Sequence, residues 1–283
     1  MAWDGYLNEE KIMTTSSIEV SEGFTSIIRR HQLLVFVVLA YAFSWWPWIW
    51  YQYDPIAADA PILPIGPFLA ALIVTAICGG RAAIAEWLKK ILHWRVGWGW
   101  FLFALLLPAA LTLASVGLNL WAGGKPVPGF QFPDAGSFAF RFIFIFFWIA
   151  LGEEPAWRGF ALPKLLDKYR AIVAAVALGV IHLVWHAPLY SVEYNPANVL
   201  PWAISVVCVS VVICWVYLNT NGSLLLPMLL HASNNTIALL WRMFSGDEQL
   251  RLWWIWCVLW VATTLAVVAW SGFGLQGRLE KNT

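Results

Sequence analysis

Charged residues are scarce in this sequence, where Asp, Glu, Lys and Arg make up 12% of the 283 residues. Soluble domains carry about 25% charged residues, so this scarcity argues against a water-soluble globule. The near balance of 17 basic and 16 acidic residues offers no basic surface, and we expect no nucleic-acid partner. The four cysteines lie inside apolar runs at unrelated spacings, which excludes a disulfide framework and a cysteine zinc cluster.

Long apolar runs take the place of the missing charge. Hydrophobic residues make up 61% of the chain, which contains 21 tryptophans. A helix needs about 20 apolar residues to cross the hydrocarbon core of a bilayer, and the uncharged stretches are long enough. They predict an all-α fold, a polytopic membrane helix bundle of about eight transmembrane helices with a lipid bilayer around it. The predicted spans are 32–52, 64–80, 99–121, 138–159, 171–190, 200–218, 224–245 and 251–271.

The ends of the chain are more polar than its centre, which predicts three parts. These are a cytoplasmic N-terminal segment (1–30), a single transmembrane domain (31–272) and a cytoplasmic tail (273–283). Lys and Arg concentrate on one side of the predicted membrane, and that side is expected to be the cytoplasm. Four basic residues lie on the other side, namely Lys125, Arg141, Arg242 and Arg251. With an even number of spans, both termini of this integral, multi-pass protein are expected in the cytoplasm.

Segment 81–98 is amphipathic, with apolar residues at the spacing of one helix face. They are Ile84, Trp87, Leu88, Ile91 and Leu92. We expect an amphipathic helix lying on the cytoplasmic leaflet. Tryptophans near residues 45–50 and 253–256 are expected to form interfacial belts that anchor the bundle.

Ionisable side chains also occur inside or at the rim of the spans, where they are costly unless they face the interior of the bundle. Glu154 and Arg158 are four residues apart and are expected to form an ion pair on one helix face. Glu153 is turned about 100° away and is left to meet another helix. A solvated helix end, where Glu and Arg are common, is the alternative.

Two further spans carry polar residues four positions apart, and each pair therefore lies on one helix face. The fifth span contributes His182 and His186, a spacing used by metal ligands, although the glutamate of a zinc protease motif is absent. The seventh contributes His231 and Asn235. Hydrogen bonding between helices is the alternative role for such side chains. Polar pairs on three spans are more typical of a site built in the core of a bundle.

The three segments together resemble the CPBP family of intramembrane proteases, which includes the type II CAAX prenyl endopeptidases and bacteriocin-processing proteins. The Glu-Glu-x-x-x-Arg motif of the family is similar to 153–158 here, its Phe-x-x-x-His motif to 182–186, and its His-x-x-x-Asn motif to 231–235. The resemblance covers about 80–245, with a catalytic core at about 138–245.

Two positions depart from the family pattern. His182 stands where Phe is usual, which either adds a ligand or only fills the place. Pro155 follows the carboxylate pair and removes one backbone donor, so we expect a kink in the fourth span beside the site.

The resemblance implies an intramembrane endopeptidase that hydrolyses a peptide bond without a Ser or Cys nucleophile. The implied catalytic residues are Glu153, Glu154, Arg158, His186, His231 and Asn235, with His182 as an accessory. Glu153 and His186 would activate the water, His231 and Asn235 would stabilise the oxyanion, and the arginine would hold the second carboxylate. The implied partner is a peptide or protein substrate, lipidated or not, and the implied location is the bacterial plasma membrane.

The family is also described as metal-dependent, and Glu and His ligands suit zinc. Glu153, His186 and His231 would be the ligands of such a metalloprotease, whereas a metal-free site is slightly favoured because the sequence shows no residue that would orient the ligands. Two other functions are open. One is an ion- or proton-coupled transporter, which uses intramembrane Glu and His but for which the chain shows no duplicated half. The other is a non-catalytic membrane scaffold.

Overall fold

The computed structural model describes residues 23, 25–53, 64–189 and 196–276. Within these ranges the chain is helical and contains no strand, so the all-α prediction is confirmed. Eight helices of the described residues correspond to the eight predicted spans. They are α1 (Gln32–Tyr53), α2 (Gly66–Lys89), α3 (Trp98–Trp121), α4 (Ala135–Leu166), α5 (Ala171–Trp185), α6 (Val199–Asn219), α7 (Leu225–Ile237) and α8 (Gly246–Ser271). Most of the predicted N-terminal segment and tail lies outside the described residues.

Six of these helices are long and apolar enough to cross a membrane, and the chain is an integral, multi-pass membrane protein. The predicted count of eight is not confirmed, because α5 and α7 are short. At about 1.5 Å per residue, the 15 residues of α5 fall short of a hydrocarbon core of about 30 Å. The 13 residues of α7 are continued by a 3₁₀ turn over Ala238–Met243. These two short helices carry the predicted histidines.

The outer surface of the bundle is apolar, as expected for a surface that faces lipid. Large hydrophobic side chains are exposed along α1, α3, α4 and α5, among them Leu34, Val38, Leu102, Leu106, Phe140, Phe147, Val173 and Val180. Inside, helix pairs α1–α2, α3–α7, α5–α6 and α6–α8 pack along their lengths. A bundle that is apolar on both its surface and its core can hold polar groups only where they pair with one another.

Helix α4 is irregular around the carboxylate pair. Two π-helical turns, Ile145–Ala150 and Trp157–Ala161, flank a short α-helical stretch at Leu151–Ala156. Pro155 lies inside this stretch and has no N–H to donate to the turn that precedes it. The sequence predicts a kink here, and the structure shows π-helical turns on both sides of Pro155. At the start of α4, Asp134 accepts hydrogen bonds from the backbone N–H and hydroxyl of Ser137, which hold the pKa of this carboxyl below its ordinary value.

The predicted amphipathic helix is only partly as expected. It forms the last part of α2, after a break at Gly80, whose φ of 64° favours glycine. The α-helix ends at Lys89 and a 3₁₀ turn follows over Lys90–Leu92, so the helix does not reach 98. Trp87 is buried and packs on α4, where its indole N–H donates to the Pro155 carbonyl at 2.8 Å. A Cβ added to Gly159 would lie 2.8 Å from the Trp87 ring nitrogen, so glycine permits this close packing. Part of the apolar face therefore packs against protein.

Helix α1 is joined to the C-terminal half of α5 by two side chains. The hydroxyl of Tyr41 donates to the Ile181 carbonyl at 2.6 Å, and the indole of Trp45 donates to the Trp185 carbonyl at 2.9 Å. Carbonyls in the last turn of a helix have no partner within it, and Trp45 supplies one. The first span therefore fixes the end of the helix that carries His182.

Candidate active site

Glu154 is the centre of a buried charged network. Its Oε1 accepts from Arg158 Nη1 at 3.0 Å and from His231 Nδ1 at 2.7 Å. The arginine is one turn further along α4, as predicted, and the histidine comes from α7. Glu154 and Arg158 are almost fully buried, which favours a tightly paired cation and carboxylate because an unpaired charge is costly there. Glu154 therefore serves as the connection between α4 and α7.

Glu153 points to a different helix. Its Oε2 lies 2.9 Å from Nε2 of His182 on α5, and both side chains are buried. The sequence predicts that this carboxylate meets another helix, and the structure shows this. The partner is the histidine that stands where the related family has phenylalanine.

His186 lies at the end of α5, where its ring is oriented by the backbone. Nδ1 is 3.0 Å from the carbonyl oxygen of His182. A carbonyl oxygen only accepts, so Nδ1 carries the proton, and Nε2 of a neutral ring holds the free lone pair. Nε2, the nitrogen that can accept a proton, is therefore directed away from the α5 backbone.

Asn235 continues the polar network along α7. Its Nδ2 lies 3.1 Å from Nε2 of His231, and its Oδ1 accepts from the amide of Asn234 at 3.2 Å. Arg141 of α4 donates to the Asn235 backbone carbonyl at 3.2 Å. Because Nδ1 of His231 donates to Glu154, Nε2 of the neutral ring accepts from Asn235. This orients the amide and leaves its second N–H for another acceptor.

All seven residues singled out from the sequence line one cavity of about 320 Å³ in the bundle. The structure thus brings together polar groups from α4, α5 and α7. Sequence reasoning missed the rest of the lining, which includes Trp48, Arg141, Trp185, Trp202, Trp241 and Trp256. Trp48 and Trp256 were predicted in the interfacial belts but are buried, whereas Trp46, Trp50 and Trp254 are exposed as expected. Tryptophan spacing alone does not separate the two groups, because both occur in the same apolar runs.

The geometry does not fit a resident metal ion. Among the described residues, no three His, Cys, Asp or Glu side chains are arranged to hold one. The predicted ligands instead turn toward other partners, Glu153 toward His182 and His231 toward Glu154.

Comparison with known proteins agrees with this arrangement of motifs. Residues 135–237 match the family model described as type II CAAX prenyl endopeptidase Rce1-like. This segment is thus similar to the CAAX protease family. A similar protein is CAAX prenyl protease 2 of Methanococcus maripaludis, which is 30% identical over 139 residues, or 45% of this chain and 51% of that protein. The chain thus matches about half the length of this curated relative. The family resemblance predicted from the three motifs is confirmed, and the matched segment contains all seven residues.

Proposed function

We propose that the protein is an intramembrane endopeptidase that cleaves a peptide bond with a water molecule activated by Glu153 and His186. The observation that carries the proposal is the convergence of Glu153, His186, His231 and Asn235 on one cavity inside a bundle of apolar helices. The match of the 135–237 segment to a protease family model supports it. Apolar walls around a few polar groups are also what a substrate cavity requires.

The proposed reaction begins with water between Glu153 and His186. Nε2 of His186 accepts a hydrogen bond from the water, and Glu153 takes its proton as the oxygen attacks the peptide carbonyl carbon. The tetrahedral intermediate then collapses, the C–N bond breaks, and protonated Glu153 returns the proton to the leaving amine. No covalent enzyme intermediate is needed.

The charge on the carbonyl oxygen is stabilised from α7. The proposed donor for the oxyanion is the second N–H of Asn235, whose amide is held in place by His231. Arg158 and Glu154 in turn hold His231. This chain of contacts gives Glu154 and Arg158 a positioning role and reserves proton transfer for Glu153.

The proposed substrate is a peptide or protein segment with a bulky apolar group, lipidated or not. Five tryptophans line the cavity beside the polar cluster, and indole surfaces suit apolar side chains or hydrocarbon chains. The matched relative is named a prenyl protease, which supports testing a prenylated peptide. We further propose a bacterial plasma membrane location with both termini in the cytoplasm, which protease accessibility of terminal tags in intact cells would test.

The test is cleavage of quenched fluorescent peptides, with and without a farnesyl group, by the purified protein in lipid nanodiscs. The wild type should cleave at least one peptide, and Glu153→Gln should not. Glu86→Gln is the matched control, because Glu86 is exposed on α2 and pairs with Lys89 at the surface. A wild-type protein that cleaves nothing but moves ions across liposomes would replace this proposal with the transporter. One that does neither would favour the scaffold.

A further inference from the structure

We propose that His182 is a positioning residue that holds Glu153 in its reactive orientation. This inference rests on the proposed function. The imidazole can form a hydrogen bond with the Glu153 carboxylate. The phenylalanine usual at this position in the related family cannot, because its side chain has no polar atom.

The contact itself is short and enclosed. Nε2 of His182 and Oε2 of Glu153 are 2.9 Å apart, and the two side chains are 10% and 4% exposed. At this burial, water does not compete for the contact at Oε2, so the imidazole determines which way the carboxylate faces. The bond occupies Oε2, which assigns Oε1 to the water.

Helix α4 does not supply this orientation alone. Glu153 lies on six residues of α-helix between two π-helical turns, next to Pro155, where the backbone departs from regular geometry. A side chain on such a segment needs a contact from a neighbouring element to fix its direction. His182 provides that contact from the regular helix α5.

The ring of His182 is itself held in place by aromatic neighbours. Its centroid lies 5.2 Å from that of Trp157, 5.7 Å from Trp185 and 4.9 Å from His186. Trp157 is fully buried on α4, one turn from Glu153. A ring packed between indoles from both helices has little freedom to turn, so Nε2 stays directed at the carboxylate.

His182 also contacts the second member of the proposed pair. Its backbone carbonyl accepts from Nδ1 of His186, while its side chain binds Glu153. One residue thus sets the relative placement of the two groups that activate water. Substitution of the side chain removes the hydrogen bond to Glu153 but leaves the carbonyl that accepts from His186.

The decisive experiment compares His182→Gln with His182→Met in nanodiscs. The two side chains are of similar length and volume, and only glutamine can donate to Glu153. We expect His182→Met to lower kcat about tenfold or more with KM changed less than about twofold, because the substrate contacts stay in place. His182→Gln should recover most of the lost kcat. His182→Phe should behave like His182→Met.

Folding is followed by the thermal unfolding midpoint of each variant, and His31→Met is the control, because His31 is exposed. Full activity in His182→Met overturns the inference while the proposed function stands. Equal loss in folded His182→Gln and His182→Met also overturns it, since a structural role alone would then explain the effect. A wild type that cleaves no peptide overturns both proposals together.

Discussion

The two carboxylates of α4 are adjacent in sequence yet belong to different networks. Glu154 is paired with the guanidinium of Arg158 and with His231, so its charge is matched within the bundle. The partner of Glu153 is an imidazole, that of His182, which can give or take a proton. Neighbouring helix positions point about 100° apart, so two adjacent carboxylates can have different roles. Glu154 joins helices through an ion pair, and Glu153 is the one suited to proton transfer.

The largest expected effect tests the reactive half of this comparison. Glu153→Gln keeps the shape of the side chain and removes the base, so we expect cleavage to fall about 10³-fold. The unfolding midpoint should change little, because glutamine can still bond with His182. Peptide cleavage and thermal unfolding measured on the same nanodisc sample check both statements. A large loss of stability with activity retained would reverse the roles assigned to the two carboxylates.

The second prediction addresses the structural half. Arg158→Met leaves the buried carboxylate of Glu154 without its cation, and we expect a loss of about 3–5 kcal/mol in the free energy of unfolding. Reversible unfolding in mixed micelles measures it. The double variant Glu154→Gln with Arg158→Met should recover part of the loss, because no unpaired charge remains. Wild-type stability in Arg158→Met would show that the pair is not structural.

A smaller loss of stability is expected from substitution of Trp87, which donates a hydrogen bond to α4 close to the two carboxylates. Trp87→Phe keeps the ring and removes the hydrogen bond to the Pro155 carbonyl, so we expect a loss of about 1 kcal/mol. Trp94→Phe is the control, because Trp94 is exposed. Equal unfolding free energies for the two variants would mean that the distorted turn is held without this contact.

The smallest expected effect is that of metal removal. Both carboxylates already face other side chains, so dialysis against a strong chelator should leave kcat within about twofold of the untreated protein. Element analysis before and after dialysis is the control. Loss of cleavage that returns when zinc is added would contradict this prediction. It would show that Glu153 binds a metal ion in place of His182, whereas Glu154 stays paired with Arg158.

The sequence predicts where each helix lies along the chain better than it predicts which face of each helix points into the bundle. The eight apolar runs correspond to eight helices of the described part, and the four-residue spacing of Glu154 and Arg158 predicts their ion pair. Neither pattern shows which way an apolar helix faces, because a helix that is hydrophobic all round has no polar face to indicate its orientation.

For this reason the contact between Glu153 and His182 and the burial of Trp48 appear only when the helices are packed. The break at Gly80 and the turns around Pro155 likewise depend on how α2 and α4 meet.

The two hydrogen bonds from α1 to α5 indicate which part of the chain is needed to hold the site. Tyr41 and Trp45 lie outside the 135–237 match, yet they secure the helix that presents both His182 and His186. A protein trimmed to the matched segment would keep all seven predicted site residues and lose the two hydrogen bonds that hold the helix of His182 and His186. The segment needed to hold the site in place is therefore longer than the segment that matches the family model, because it includes α1.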